Sequence, residues 1–167
     1  YKKGVFNIDT AIAYGKSEEI IGQYLKKYSN EKWCIVTKIK SPSDYLHDQV
    51  NQSIHSIGSI PDVVLAHSAA DYLAPSFCKE LHQLKEKKSI KQVGVSLYNE
   101  DEIIQVMESD FKPDVIQLPL NILDTKLYRN ETLAELNNEG IEIHVRSAFL
   151  QGLFYLPEVD LKEKFSD

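Results

Sequence analysis

Four side chains could do chemistry together. Asp9 ends one apolar run and Tyr14 follows it in a loop, within "NIDTAIAYGKSEEIIG". Lys38 lies near the end of a second run, and His67 closes a third. A free tyrosine titrates at about 10 and donates its proton poorly at neutral pH. An ammonium held beside the phenol stabilises phenolate, so Lys38 would lower the pKa of Tyr14 and let it act as a general acid. A buried Lys38 would tend to lose its own proton, and an ion pair with Asp9 would keep it charged. His67 would orient a carbonyl or share the proton donation. Such a set protonates a carbonyl oxygen while hydride arrives at carbon. No side chain supplies hydride, so a nicotinamide cofactor would have to.

Each residue also has a plainer reading. Asp9 could cap a loop, Tyr14 could pack like most of the chain's nine tyrosines, Lys38 could snorkel, and His67 could be a core histidine. Their joint placement argues for a reaction centre.

The elements that would place them follow from periodicity. Short apolar runs at 5–9, 33–39, 62–67, 92–96, 114–120 and 141–148 read as strands, and amphipathic stretches at 17–28, 44–57, 72–87, 100–109 and 126–138 as helices. Ser17 is a candidate N-cap, with Ile20, Ile21, Tyr24 and Leu25 on one helical face, and Gly140 is a helix stop. Strict alternation predicts right-handed βαβ crossovers and a parallel sheet. That sheet is either open and doubly wound, or most of a (β/α)8 barrel. In both, ligands bind beyond the carboxyl ends of the strands. Besides Asp9, Lys38 and His67, those ends carry Ser96, Gln117 (with Asn121 beyond it), Arg146 and Ser147.

Composition narrows the classes. The 167 residues, 43% apolar and 26% charged, suit one soluble domain, with no internal linker. A net charge of −6 and pI near 5.4 give no footprint for nucleic acid or anionic lipid. No apolar run approaches the roughly 20 residues that span a bilayer. The first residues lack both a signal-peptide core and an initiating Met, so a fragment or processed piece is expected. Cys34 and Cys78 are expected as reduced core thiols in a cytoplasmic protein. "YGKS" is not a phosphate loop, because Thr10 stands where the required glycine would be. His47, His55, His82 and His144 lack metal-ligand spacing, so no metal site is expected.

"DTAIAYGKSEEIIG" resembles the aldo-keto reductase signature D-T-A-x-x-Y-G-x-S-E-x-x-I-G. The likeness continues in order through "IVTKI", "VLAHS", "VGVSLYN", "IQLPLNILD" and "HVRSAFLQGLF", almost the whole chain. It implies a single partial barrel domain over 1–167, holding about strands 2–7 of a (β/α)8 TIM barrel. It implies NADPH-dependent reduction of an aldehyde or ketone, with catalytic residues Asp9, Tyr14, Lys38 and His67. The same resemblance places Asp9, Ser96, Gln117, Arg146 and Ser147 on the cofactor, with Ser96 and Gln117 at its carboxamide.

Three departures stand against that pattern. Leu97 replaces the Asn expected after Ser96, and Arg146 stands where many members carry an aromatic residue that stacks on nicotinamide. The family's last strand, and its basic segment for the adenosine 2′-phosphate, have no counterpart here. A barrel of about 250 residues would be cut short, leaving open strand edges for self-association or a partner to cover. Two other readings are a Schiff-base barrel aldolase using Lys38, and a non-catalytic sensor or subunit.

Overall fold

The computed structural model describes residues 3–40 and 45–164, with side chains described through 161. Six strands form one parallel sheet in sequence order: β1 (Asn7–Asp9), β2 (Cys34–Ile39), β3 (Val63–Ala66), β4 (Gln92–Ser96), β5 (Val115–Pro119) and β6 (Glu142–Arg146). Strictly sequential order, with no reversal of direction across the sheet, is the order of a barrel wall and not of a doubly wound sheet. One hydrogen bond shows the curvature. In a flat sheet β1 and β5 would lie about 19 Å apart, four strand spacings. Yet Gln117 Nε2 of β5 donates to Asp9 Oδ1 of β1 at 2.9 Å. The sheet is a curled half-barrel.

Side-chain alternation then assigns the two faces. Ile39, Val64, Ala66, Val93, Val95, Ile116 and Leu118 point outward and bury themselves against the helices, in the main core. Cys34, Val36, Val63, Leu65 and Val115 form a small apolar cluster on the concave face. Register continues that inner face upward from Val36 to Lys38, from Gly94 to Ser96 and from Val115 to Gln117. The site residues are the polar top layer of an apolar floor. Gly94 is needed in that floor, since a Cβ there would meet Val115 O at 2.3 Å and Leu65 Cδ2 at 2.5 Å.

The helices are α1 (Ser17–Lys27), α2 (Leu46–Ile57), α3 (Ala69–Leu73), α4 (Pro75–Glu86), α5 (Glu100–Met107), α6 (Lys126–Arg129), α7 (Thr132–Asn138) and α8 (Glu158–Lys164), with 3-10 turns over Leu150–Tyr155. The helix expected at 72–87 is broken by Pro75, which starts α4 at its first turn, where a missing N–H costs nothing. The stretch 126–138 is likewise two helices, with Glu131 at φ +61° between them. Gly140 does follow α7 as its stop, at φ +80°. The start of the helix expected from 44 lies outside the described residues.

Ser17 is not a cap. Helix α1 begins on it, the N-cap position falls to Lys16, and Ser17 Oγ accepts a hydrogen bond from Thr10 Oγ1 at 2.9 Å. Of the face predicted for this helix, Ile21 and Leu25 are half-buried, whereas Ile20 is 62% exposed. Helix α1 packs its Gly22 onto the end of α2, so closely that a Cβ would lie 2.1 Å from Ser56 O. That contact rotates Ile20 away from the core. Both cysteines are free thiols; Cys78 is buried and Cys34 half-buried, and burial pushes both pKa values up. No described helix is long and apolar enough to cross a membrane.

Candidate active site at the carboxyl ends of the strands

Lys38 organises the site. Its side chain is only 2% exposed, and Nζ donates to Asp9 Oδ1 at 2.7 Å, Asp9 Oδ2 at 2.6 Å and Thr10 O at 2.9 Å. An ammonium has three N–H donors, and all are used. Burial pulls the Lys38 pKa below the ordinary lysine range, and the hydrogen bond and charge of Asp9 oppose that pull. The ion pair expected between these residues is therefore present.

Asp9 in turn accepts from Gln117 Nε2. That bond fixes the amide orientation, since a flipped amide would set its oxygen against the carboxylate. Gln117 Oε1 is thereby left buried with no partner. Ser96, 4% exposed, stands beside Gln117 in register on the adjacent strand. Buried acceptors are rarely left unmet without reason.

Tyr14 hangs over this pair. It is 51% exposed, with Lys38 Nζ 5.4 Å from its ring centroid. His67, one residue beyond β3, meets the Tyr14 ring edge-on with centroids 6.3 Å apart, and its Nδ1 is buried without a partner. The four expected side chains are thus together. The expected electrostatics of Tyr14 is not observed. Its pKa is raised, by partial burial first and by the Asp9 carboxylate second, with Arg146 opposing. Lys38 spends its charge on Asp9, and the pair has little net field left for the phenol. His67 is held below the usual histidine range, chiefly by burial and then by Lys40 and Lys38, which favours the neutral imidazole.

Arg146 and Ser147 close the set from β6. The Arg146 guanidinium lies 4.2 Å from the centroid of the Tyr98 ring, Nη2 donates to Leu97 O at 3.1 Å, and Nη1 reaches Ser147 Oγ at 3.4 Å. Ser147 is exposed and has φ +59°. Leu97 is fully buried in the core, so the position after Ser96 offers no polar group to a ligand. Asn121 is a turn residue, its Oδ1 accepting from Leu123 N at 2.9 Å.

Several contributors are not apparent from residue type alone. The Thr10 carbonyl completes the Lys38 shell, and its hydroxyl ties the Tyr14 loop to Ser17. Glu18 is 4% exposed and accepts from Thr37 Oγ1 at 2.6 Å, anchoring α1 to β2 behind Lys38. Tyr98, 63% exposed, supports Arg146. Position offers one signal for Thr10 and Thr37: each adjoins a catalytic candidate in sequence. Among the described residues no group of histidines, cysteines and carboxylates could hold a metal ion.

The model of the Aldo/keto reductase family matches residues 1–166, and the chain belongs to that family. It is 28% identical over 182 residues to a NADH-specific methylglyoxal reductase of Escherichia coli (strain K12), an alignment that takes in 92% of this chain and 55% of that protein. Its fold is that of an aldo-keto reductase from Klebsiella pneumoniae in complex with NADPH, with a TM-score of 0.77, 17% identity, and coverage of 98% of this chain and 62% of that one. The holo form of an aldo-keto reductase from Bacillus halodurans superposes equally well, with a TM-score of 0.77, 21% identity, and coverage of 94% and 58%. The chain spans about half the length of the curated relative it matches.

Proposed function

We propose that this chain carries the reaction centre of a nicotinamide-dependent carbonyl reductase acting on a small aldehyde or ketone. The observation that carries the reading is the continuous chain Gln117–Asp9–Lys38 beneath Tyr14 and His67, with Gln117 Oε1 and His67 Nδ1 buried and unmet. A primary carboxamide fits this end of the sheet. Its N–H groups would be accepted by Gln117 Oε1 and by Ser96 Oγ, and Asp9 and Ser147 would line the same ledge. When bound, the nicotinamide supplies hydride to the carbonyl carbon. Tyr14 Oη donates a proton to the carbonyl oxygen as that oxygen gains charge. His67 helps hold the oxygen at Tyr14 by hydrogen bonding. With its N–H groups on Asp9 and Thr10, Lys38 gives the phenol no hydrogen bond; it holds the Asp9–Gln117 platform beneath Tyr14. The charge building on the carbonyl oxygen draws the proton, so the resting phenol needs no lowered pKa. The proton that Tyr14 gives up is then restored from solvent, which its exposure permits.

The cofactor form is NADPH by family resemblance, whereas the Escherichia coli relative is named as NADH-specific. Titration of both by fluorescence decides between them. The test of the activity is nicotinamide oxidation with methylglyoxal and simple aldehydes, in the intact protein that carries this chain. Wild type should turn over, and Tyr14→Phe should bind the cofactor without turning over. Cofactor binding with no carbonyl reduced by wild type would support the sensor or subunit reading instead. The Schiff-base reading is disfavoured because every Lys38 N–H is engaged and no lone pair is free to attack. Borohydride trapping on Lys38 would revive it. Strands β1 and β6 each have one strand neighbour among the described residues, so self-association through these edges is a further proposal, read by light scattering.

A further inference from the structure

Among the described residues, no carboxylate answers the charge of Arg146. The residue is half-buried at the carboxyl end of β6. A guanidinium in that setting loses hydration without gaining a counter-charge, so it is costly unless a ligand supplies one. It is also held in place. Leu97 O takes one N–H at 3.1 Å and the Tyr98 ring lies beneath the plane at 4.2 Å, while most of its fork of donors stays free. An immobilised fork loses less entropy on meeting a carboxylate or phosphate than a free lysine would.

Its neighbourhood points the same way. Beside the contacts with Tyr98 and Leu97 O, the Arg146 charge bears weakly on Tyr14, Lys38 and His67. Lys40 adds a second positive charge near His67. The Asp9 carboxylate that might balance them is already paired with Lys38. Arg146 and Lys40 thus bring positive charge to this part of the site, with Asp71 opposing near His67, although the whole chain carries a net charge of −6.

We propose that Arg146, seated on Tyr98 and Leu97 O, is the recognition point for an anionic group on the carbonyl substrate, which makes that substrate a carboxylate- or phosphate-bearing aldehyde or ketone. The inference rests on the reductase reading and names its substrate class. The reaction balances as carbonyl plus reduced nicotinamide plus one proton giving alcohol plus oxidised nicotinamide, with the anion untouched.

The test compares butanal with 4-oxobutanoate, two four-carbon aldehydes differing in a carboxylate, using the intact protein with saturating cofactor. The readout is the ratio of kcat/KM between the two substrates within each protein, so any general loss of activity cancels. Wild type should favour 4-oxobutanoate about tenfold or more, through KM. Arg146→Leu should bring the ratio near one, and Arg146→Lys should keep part of it. Independently of turnover, calorimetry should detect succinate binding to wild type and not to Arg146→Leu. A wild-type ratio near one overturns the inference while leaving the reductase reading intact. A preference that survives Arg146→Leu, with weakened NADH or NADPH binding in that variant, assigns the guanidinium to a cofactor phosphate and also overturns it. If wild type reduces neither aldehyde, the reductase reading fails, and the succinate titration still decides whether the anion site exists.

Discussion

The two ends of the sheet use the same parts for different purposes. At the amino ends, Asp62 takes Lys91 Nζ at 2.6 Å on one oxygen and the Ile35 N–H of the neighbouring strand at 2.8 Å on the other. Two units further along, Asp114 repeats this with Lys85 Nζ at 2.6 Å and Val93 N at 2.8 Å. These lysines are 60% and 37% exposed, so each pair is a solvated clip that pins a strand start. At the carboxyl end, Lys38 is 2% exposed and Asp9 bonds no backbone N–H of a neighbouring strand; its other partner is Gln117, four strands away. All three aspartates tie adjacent strands, but at the carboxyl end the Asp9–Gln117 hydrogen bond also bridges the hollow. Burial of the cation, more than the identity of the residues, separates the clips from the candidate site. This matches the division of labour in barrels, where the lower face serves stability and the upper face chemistry. The cleft of about 990 Å³ at the amino ends, lined by Gly22, Trp33, Gly58, Asp62 and Lys91 among others, lies away from the reacting groups and carries none of them.

The contrast can be broken most decisively at the upper end. Tyr14→Phe should cost roughly 10²- to 10⁴-fold in kcat. Its melting temperature should stay at the wild-type value, because Tyr14 is half exposed and its hydroxyl bonds nothing among the described residues. Steady-state kinetics with a calorimetric scan reads both, and a large drop in melting temperature would make Tyr14 a packing residue after all.

Asp9→Asn should come next. It strands a buried ammonium, and denaturant melts should show a loss of about 3 kcal/mol or more. Asp114→Asn at the lower end removes a solvated pair and weakens one N–H contact, and should cost only about 1 kcal/mol. Equal losses from the two substitutions would erase the distinction drawn between the ends. Gly94→Ala falls between them. It should cost about 1–3 kcal/mol by overpacking the concave floor against Val115 and Leu65, measured by urea titration.

The smallest expected effect is on pH dependence. Burial holds the pKa values of His67 and His82 below the ordinary 6.5 in the folded chain. As pH falls, the unfolded chain takes up those protons first, so stability is complete above about pH 7 and drains as pH passes through 6.5 toward the folded values. Urea midpoints at about pH 7.5 and 5.5 should differ less in His82→Asn than in wild type. An unchanged difference would exclude His82 as a contributor.

Much of this was readable in advance because the local code and the global fold agree. The six apolar runs became strands with ends shifted by two residues at most, since a strand buried on both faces must be apolar throughout. Asp9, Lys38, Ser96 and Gln117 share the inner face because each lies an even number of positions above an inward residue or opposite one in register. Sequence reasoning failed where a residue's partner is remote. Ser17 has the type and place of a helix cap, yet Thr10 Oγ1 claims its hydroxyl. Glu18 reads as a first-turn carboxylate in water, yet Thr37 of β2 draws it into the interior. Tyr14 was expected to feel the Lys38 ammonium, yet partial burial first and the Asp9 carboxylate second push its pKa up instead.

By itself, then, the sequence determined the repeated βα units, the family and the four candidate groups that the fold brings together. Those follow from periodicity and from a motif confined to a few neighbouring residues. Only the tertiary structure decided that β1 curls to within a hydrogen bond of β5, that Lys38 spends all its donors on Asp9 and Thr10, and that Arg146 rests on Tyr98 with no counter-ion among the described residues. The physical reason is that charge, burial and competition for donors depend on distances between residues 28 to 108 positions apart, and chain order alone does not set those distances.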